Sequence, residues 1–403
     1  MLSQAARPYI EASVPVLREH GLAITRAFYR NMFAAHPELN DLFNLGNQAN
    51  GSQQQSLAAA VFAYAAHIDD AAALAPVIER IVHKHVSVGI RPAHYPIVGR
   101  HLLGAIVEVL GDAATPALLS AWDEAYWLLA GELIAAEARL SERTGAASGA
   151  LRPLRVMELR HESADATSFY LQTPDGQSPG NFLPGQYLSV AVDFAGENLR
   201  QLRQYSLSDS PGKPWWRITV KREAAQADAP AGRVSNWLHA NLRQGGSLLA
   251  GAAYGDFTPA LDGDHPLVLL SAGVGITPMV SILNTLCERG ARRPVHFAHA
   301  ARDGLRHALR ADLTAARARY PALHEQVFYE TPRDADRVGF DYHHAGRMQL
   351  DLVLDGVADD AEFLLCGPAA FMRQQWQALL ARGVGPARIQ REVFGPELLD
   401  HLL

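Results

Sequence analysis

His83-Lys84-His85 places two imidazoles two residues apart. On a helix that separation is about 200°, so the two rings cannot face the same way. The apolar stripe Ile78, Ile81, Val82 and Val86 is continued by His85, and His83 points away from it. An inward imidazole needs partners for two ring nitrogens. It is either a satisfied core histidine or a metal ligand, and these residues alone leave both readings open. Tyr95 follows ten residues later, just past the break at Arg91-Pro92, and Glu137 falls between Leu133 and Leu140 on the inward row of a later helix. A metal-bound imidazole gives its second N–H to an acceptor, and that contact controls the basicity of the ligand. A carboxylate there makes the ring more anionic and pushes electron density toward the metal. Taken alone, Glu137 reads as a salt-bridged surface residue.

Earlier in the chain, Phe28-Tyr29 sits in the second of the helices expected here, and Phe43 follows the Pro37 turn. Gln53 opens a helix whose apolar row begins at Leu57. Tyr29 and Gln53 are hydrogen-bonding groups in apolar company; the plain alternative is a tyrosine at a core edge and a surface glutamine.

A second set of residues suits phosphates and planar rings. Arg203-Gln204-Tyr205-Ser206 combines a cation, an aromatic and a hydroxyl on one strand, with Arg203 and Tyr205 on the same side. Gly232-Arg233-Val234-Ser235 opens a helix whose first backbone N–H groups form an anion site. Pro184-Gly185-Gln186-Tyr187 supplies a further aromatic. Together these match what a flavin requires: a stacking face, donors for the polar edge and charge for the phosphates. Ala272-Gly273-Val274-Gly275-Ile276-Thr277-Pro278 follows a continuous apolar strand, and its glycines allow a phosphate to approach the backbone. Cys366-Gly367-Pro368 ends another strand at the same sheet edge, with Cys366 read either as a ring-flanking thiol or as a small buried hydrophobe. Glu392-Val393-Phe394-Gly395-Pro396 offers an aromatic that could cover a ring.

The elements that must position these groups fall into three textures. Residues 1–143 carry apolar rows at three- and four-residue spacing, such as Leu57, Val61, Tyr64, Ala65 and Ile68, with breaks at Gly21, His36-Pro37, Leu45–Gly51 and Arg91-Pro92. This predicts an all-α domain. Residues 144–150, small and containing Gly and Ser, read as a flexible connection. Residues 151–258 hold short β-rich runs at Leu154–Leu159, Ser168–Thr173, Gln186–Val192, Gln204–Leu207 and Trp216–Lys221, which predict a small antiparallel barrel with one inserted helix near Ser235. Residues 264–403 alternate strand and helix, the signature of a parallel α/β sheet that binds ligands at the C-terminal ends of its strands.

The composition agrees with a multidomain globular chain of 403 residues, 48% hydrophobic and 19% charged. A formal net charge of −6 gives no global attraction to nucleic acid or anionic membrane. Two cysteines, Cys287 and Cys366, cannot form a disulfide framework, which suits a reducing compartment. Met1 to Arg18 lack a long apolar core, so no secretory signal and a cytoplasmic location are expected.

Over essentially its whole length the chain resembles the flavohaemoglobins, or flavohemoproteins. The resemblance rests on Phe28-Tyr29, Phe43, Gln53, Leu57, Lys84-His85, Tyr95-Pro96-Ile97-Val98-Gly99 and Glu137 in order, followed by the reductase motifs above. It implies a globin domain, an FAD-binding β-barrel domain and an NAD(P)-binding α/β domain. It also implies haem b, FAD and NAD(P)H as cofactors, and nitric oxide dioxygenase activity with O₂ and NO as substrates. By that resemblance His85 is the proximal iron ligand, Tyr95 and Glu137 act through it, and Tyr29 stabilises bound O₂. Phe43, Gln53 and Leu57 belong to the haem pocket, and Lys84 and Glu392 tune the two potentials. Tyr187, Arg203 to Ser206, Gly232, Val234, Ser235 and Val393 to Pro396 bind FAD. Ala272 to Thr277 and Cys366 to Pro368 bind the dinucleotide. A lipid in the distal pocket, a monomeric state and no nucleic-acid partner are further expectations. The alternatives are a flavin or ferric reductase, a haem-dependent alkyl or lipid hydroperoxide reductase, and a non-enzymatic oxygen sensor.

Overall fold

The computed structural model describes residues 2–225 and 230–395. It divides into two compact units: one holds Met1–Leu151 with Ala191–Arg203, the other Arg152–Val190 with Gln204–Phe394.

The first unit is built on α1 (Arg7–Ala35), α2 (Leu45–Ala49), α3 (Ser52–Ala66), α4 (Ala71–Val88), α5 (Tyr95–Leu110) and α6 (Pro116–Thr144). Several starts follow capping chemistry. Asp70 accepts from Ala73 N at 3.0 Å, and Thr115 accepts from Leu118 N at 3.3 Å. The break expected at Gly21 does not occur, so Phe28-Tyr29 lies in the first long helix. A mid-helix glycine costs only about 1 kcal/mol against alanine. Buried Leu17, Ile24, Phe28 and Met32 on the same helix outweigh that. They pack with Ile10, Ala105, Ile106 and Trp122 into one core.

The connection read as flexible is tied down. Ser148 Oγ donates to Ile90 O at 2.7 Å, and Gly149 N donates to Val86 O at 2.9 Å. Gly149, at φ +69°, lies so close to Gly89 that a Cβ on it would stand 2.5 Å from Gly89 Cα. The segment therefore docks on the C-terminal turn of α4, where Gly89 N and Ile90 N both bond His85 O.

A six-stranded sheet follows in the order β4-β3-β6-β1-β2-β5. Its strands are β1 (Arg152–His161), β2 (Ala166–Gln172), β3 (Tyr187–Phe194), β4 (Leu199–Ser206), β5 (Trp216–Lys221) and β6 (Ser247–Tyr254), with α7 (Arg233–Asn241) between the last two. β1 pairs antiparallel with both β2 and β6, and β2 with β5. β6 was not expected, because Ser, Ala and Gly dominate it. The second sheet is parallel, in the order β10-β9-β8-β7-β11-β12. Its elements are β7 (Leu267–Ala272), α8 (Ile276–Arg289), β8 (Val295–Ala301), α9 (Arg310–Arg319), β9 (Leu323–Tyr329), β10 (His344–Ala345), α10 (Leu350–Leu354), β11 (Glu362–Cys366), α11 (Ala369–Ala381) and β12 (Ile389–Glu392). The order reverses between β7 and β11, which marks the ligand-binding crevice of such sheets. No helix among the described residues is long and apolar enough to cross a membrane.

His299 of β8 and His307 of the loop that follows it are both buried. His299 Nδ1 meets Ser271 Oγ at 2.9 Å, His307 Nδ1 meets Tyr329 Oη at 3.0 Å, and the two rings lie 4.7 Å apart. Burial pushes His299 down to about 3 and His307 well below its ordinary value. The unfolded chain takes up protons near the ordinary 6.5 and the folded chain does not. For His299 this stabilisation is therefore complete above pH 6.5 and is lost as pH falls toward 3, at about 1.4 kcal/mol per pH unit, and His307 acts in the same direction. Urea midpoints should be lower at pH 5.5 than at 7.5, and His299→Gln should flatten that dependence; equal slopes for both proteins would contradict the assignment.

Candidate functional site

Three helices of the first unit meet at one carboxylate. Glu137 on α6 is buried. Its Oε1 accepts from Tyr95 Oη at 2.5 Å and lies 2.8 Å from His85 Nδ1. Tyr95 opens α5 and is itself 3.2 Å from His85 Nδ1. The carboxylate fixes the proton on Nδ1 and leaves the Nε2 lone pair for another partner. Of the two readings of Glu137, the surface one is excluded by this burial. The burial of His83 and His85 is the reverse of the expected one. His83 is the more buried residue at 8% exposure, while the His85 side chain is 30% exposed. The helix packs on both flanks, so periodicity separates the two rings without ranking their burial. Lys84 is exposed on the same helix.

Two residues that support this arrangement were missed as such in the sequence. Tyr126 on α6 donates to Tyr95 O at 2.6 Å. Its ring lies over Gly99 of α5, where a Cβ would be 2.5 Å from Tyr126 Cε1. Gly99 belongs to the motif run after Tyr95, but only the packing shows why it lacks a side chain.

Tyr29 is buried in an aromatic group. Phe28 and Phe43 stand edge-on to it at 4.7 and 5.8 Å, and Phe33 stacks at 5.7 Å. Phe33 carried no signal of its own in the sequence. Burial pushes the Tyr29 phenol up to about 12, so it is a proton donor at neutral pH. Gln53 Nε2 donates to Tyr29 Oη at 3.4 Å, which leaves the phenol hydrogen for another acceptor. Leu57, on the same helix as Gln53, packs against this core.

In β4 the exposure pattern separates Arg203, Gln204 and Tyr205, which are half-buried, from Ser206, which is buried. Gln204 Nε2 donates to Ser189 Oγ at 3.0 Å. Ser206 Oγ is a buried hydroxyl with no hydrogen-bond partner in the protein, which costs free energy unless a ligand satisfies it. Tyr187 is buried on β3. Gly232 caps α7 with little room: a Cβ would stand 2.8 Å from Ser235 Oγ. The Ser235 hydroxyl accepts from Glu223 N at 3.2 Å and donates to Gly232 O at 3.2 Å, while Val234 faces the core.

The glycine turn and the Cys366 turn meet at the switch point. Gly275 presses on the backbone of Cys366, and a Cβ on it would lie 2.7 Å from Gly367 N. Gly367 in turn fits against Ala272 and Phe371. These glycines serve close packing between two strand ends as well as access. Gly273 has φ +54° and open space beyond it. Thr277 Oγ1 donates to Val274 O at 3.0 Å and braces the turn; Ile276 is a core residue. Cys366 is fully buried and burial raises its thiol, which matches the hydrophobe reading of its side chain. Glu392 ends β12, Val393 packs partly into the core, Phe394 is 45% exposed, and Pro396 lies outside the described residues.

The Globin family model matches residues 26–133, and the Oxidoreductase NAD-binding domain model matches residues 269–376. A flavohemoprotein of Chromobacterium violaceum is 49% identical over 98% of both chains. One of Rhizobium meliloti is 46% identical over 99% of both. The chain belongs to the flavohemoprotein family. Its fold agrees with that of a flavohemoglobin from Malassezia yamatoensis determined with bound FAD and heme, at 29% identity and TM-score 0.85, covering 98% of this chain and 100% of that one. The FAD/NAD-binding domain of a Vibrio cholerae nitric oxide dioxygenase matches at 38% identity and TM-score 0.55, covering 61% of this chain and 99% of that one.

For this flavohemoprotein, Gly99→Ala is an informative substitution. Helix propensity favours alanine by up to about 1 kcal/mol, whereas forcing Tyr126 aside costs about 1–3 kcal/mol. Net destabilisation is expected in thermal unfolding; a rise in Tm would mean that Tyr126 yields freely.

Proposed function

We propose that this chain is a cytoplasmic nitric oxide dioxygenase that converts NO and O₂ to nitrate at the expense of NAD(P)H, with haem b held by His85. The observation that carries the reading is the cluster in which buried Glu137 engages His85 and Tyr95. Among the described residues no group of three or more His, Cys, Asp or Glu could hold a metal ion. A metal held by a single imidazole takes its remaining donors from elsewhere, and the ring nitrogens of a porphyrin are one such set. One imidazole with Nδ1 engaged by a carboxylate fits that requirement. The orphaned Ser206 hydroxyl and the Gly273 turn fit a flavin and a dinucleotide.

When bound at His85, haem would supply a redox-active iron, and FAD would couple a two-electron donor to a one-electron acceptor. The residues supply the rest. Glu137 makes His85 a strong donor, a feature suited to O–O chemistry and unneeded for simple oxygen storage. Tyr29, kept protonated by burial and oriented by Gln53, offers an O–H donor in an apolar setting, where such a bond is worth more than in water. Phe28, Phe33 and Phe43 hold its ring so that little reorganisation accompanies charge development. Arg203 to Ser206 and Tyr187 are assigned to FAD, with α7 toward its phosphates. Ala272 to Thr277 and the Cys366–Pro368 turn are assigned to the dinucleotide.

The test is anaerobic reduction by NADH followed by addition of O₂ and NO, with nitrate measured. One nitrate per NO is expected. Tyr29→Phe should speed O₂ dissociation and lower NO turnover, and His85→Ala should lose haem while FAD stays bound. NADH oxidation that is indifferent to NO would favour a plain flavin reductase instead.

A further inference from the structure

Beyond β4 the chain runs on through Leu207, Ser208, Asp209 and Ser210, all buried. Arg217 of β5 reaches this stretch from within the protein, its side chain 3% exposed. Its Nε donates to Ser208 Oγ at 3.2 Å, and Nη2 donates to Ser208 O. The same guanidinium forks onto Asp312, in the first turn of α9, at 3.2 and 2.8 Å. Asn284 of α8 then bridges two carboxylates with one amide, donating to Asp209 Oδ1 at 3.0 Å and to Asp312 Oδ1 at 2.8 Å. Ser281, one turn earlier on α8, donates to Asp209 O at 2.7 Å. Lys213 completes the set, 2.7 Å from Asp209 and 3.3 Å from Glu288. Burial opposes the charge on Arg217, but Asp312 and Asp209 outweigh it and hold the group ionised.

The placement of this network matters more than its strength. Asp209 is three residues past Ser206, the end of the strand assigned to the flavin. Ser281 is one helical turn past Thr277, the end of the turn assigned to the dinucleotide. Buried ion pairs add little net stability over apolar packing, but breaking one partner leaves an uncompensated charge and a changed geometry. A planar, bidentate guanidinium and a doubly donating amide both impose direction as well as contact.

The geometry points to Arg217, Asp312, Asn284 and Asp209 as positioning residues that fix the separation between the flavin-side strand and the nucleotide-side turn for hydride transfer. This rests on the site assignment proposed above. In that exchange a hydride leaves NADH, giving NAD⁺, and is taken up with one solvent proton by the flavin, giving FADH₂. Displacements near 1 Å cost such reactions up to about a hundredfold in rate. The network touches neither cofactor site directly, so its loss should act on the rate and spare the affinities.

Asn284→Ala and Asp312→Asn in the full-length, FAD-loaded chain test this. Stopped-flow flavin bleaching by NADH should slow about tenfold or more, while FAD content and the concentration of NADH at half-maximal rate change less than about twofold. Deuterium at the transferred position of NADH should give a larger isotope effect in the variants than in the unsubstituted chain. In hydrogen exchange, the amides of residues 207–210 and 277–281 should lose protection together. Since Asp312→Asn could fail to fold, the double variant Arg217→Met with Asp312→Leu removes both members of that ion pair and leaves buried Asp209 paired with Lys213. It should recover thermal stability and still transfer hydride slowly. Unchanged bleaching in folded, FAD-saturated variants would overturn the proposal, as would a rate loss that tracks loss of FAD. If the unsubstituted chain is not bleached by NADH at all, the site assignment itself falls, and the proposal with it.

Discussion

A carboxylate removed from water has to be paid for in hydrogen bonds, and Glu137 has two within 2.8 Å. Its donors come from different helices, Tyr95 on α5 and His85 on α4, so the bond geometry fixes where α4, α5 and α6 converge. The rest of the first unit supports that convergence. Tyr126 holds the Tyr95 carbonyl, Gly99 makes room for Tyr126, and Gly149 closes onto Gly89 one turn beyond His85. A histidine positioned this way has one tautomer and one free ring nitrogen, which is what a metal-binding imidazole needs.

The second unit answers a different problem with similar means. Two ligands must be presented from separate elements at a constant spacing, and the switch point of a parallel sheet gives only one of the two surfaces. Packing glycines join the β7 and β11 turns, and the Arg217–Asp312–Asn284 set joins the sheet's first helix to the segment that follows β4. In both units charge and hydrogen-bond direction set relative position, while apolar cores supply the bulk of the stability.

Much of this was legible in residue order. The helical stretch and the antiparallel and parallel sheets follow from periodicity and turn signals, whereas the approach of Tyr95 and Glu137 to His85 was implied only by the family resemblance, since Glu137 taken alone reads as a surface residue. Helix continuity through Gly21 was hidden because a single glycine is a weak breaker beside a buried row. β6 was hidden because small residues carry no β preference. The burial of His83 and the docking of residues 148–149 depend on neighbours distant in sequence, as do the Tyr126–Gly99 contact and the Asn284 bridge. Such contacts leave no periodic trace in a single chain. Ser206 was named from its motif, but its lone buried hydroxyl, the feature that points to a ligand, is visible only in three dimensions.

The central claim is that Glu137 charges the imidazole of His85 and thereby governs what a bound metal can do. The strength of the iron–imidazole bond reports this directly. Resonance Raman spectra of the ferrous, haem-loaded chain should show the iron–histidine stretch at lower frequency in Glu137→Gln than in the unsubstituted protein, with helical content and FAD binding retained. An identical frequency in the two proteins would contradict the account.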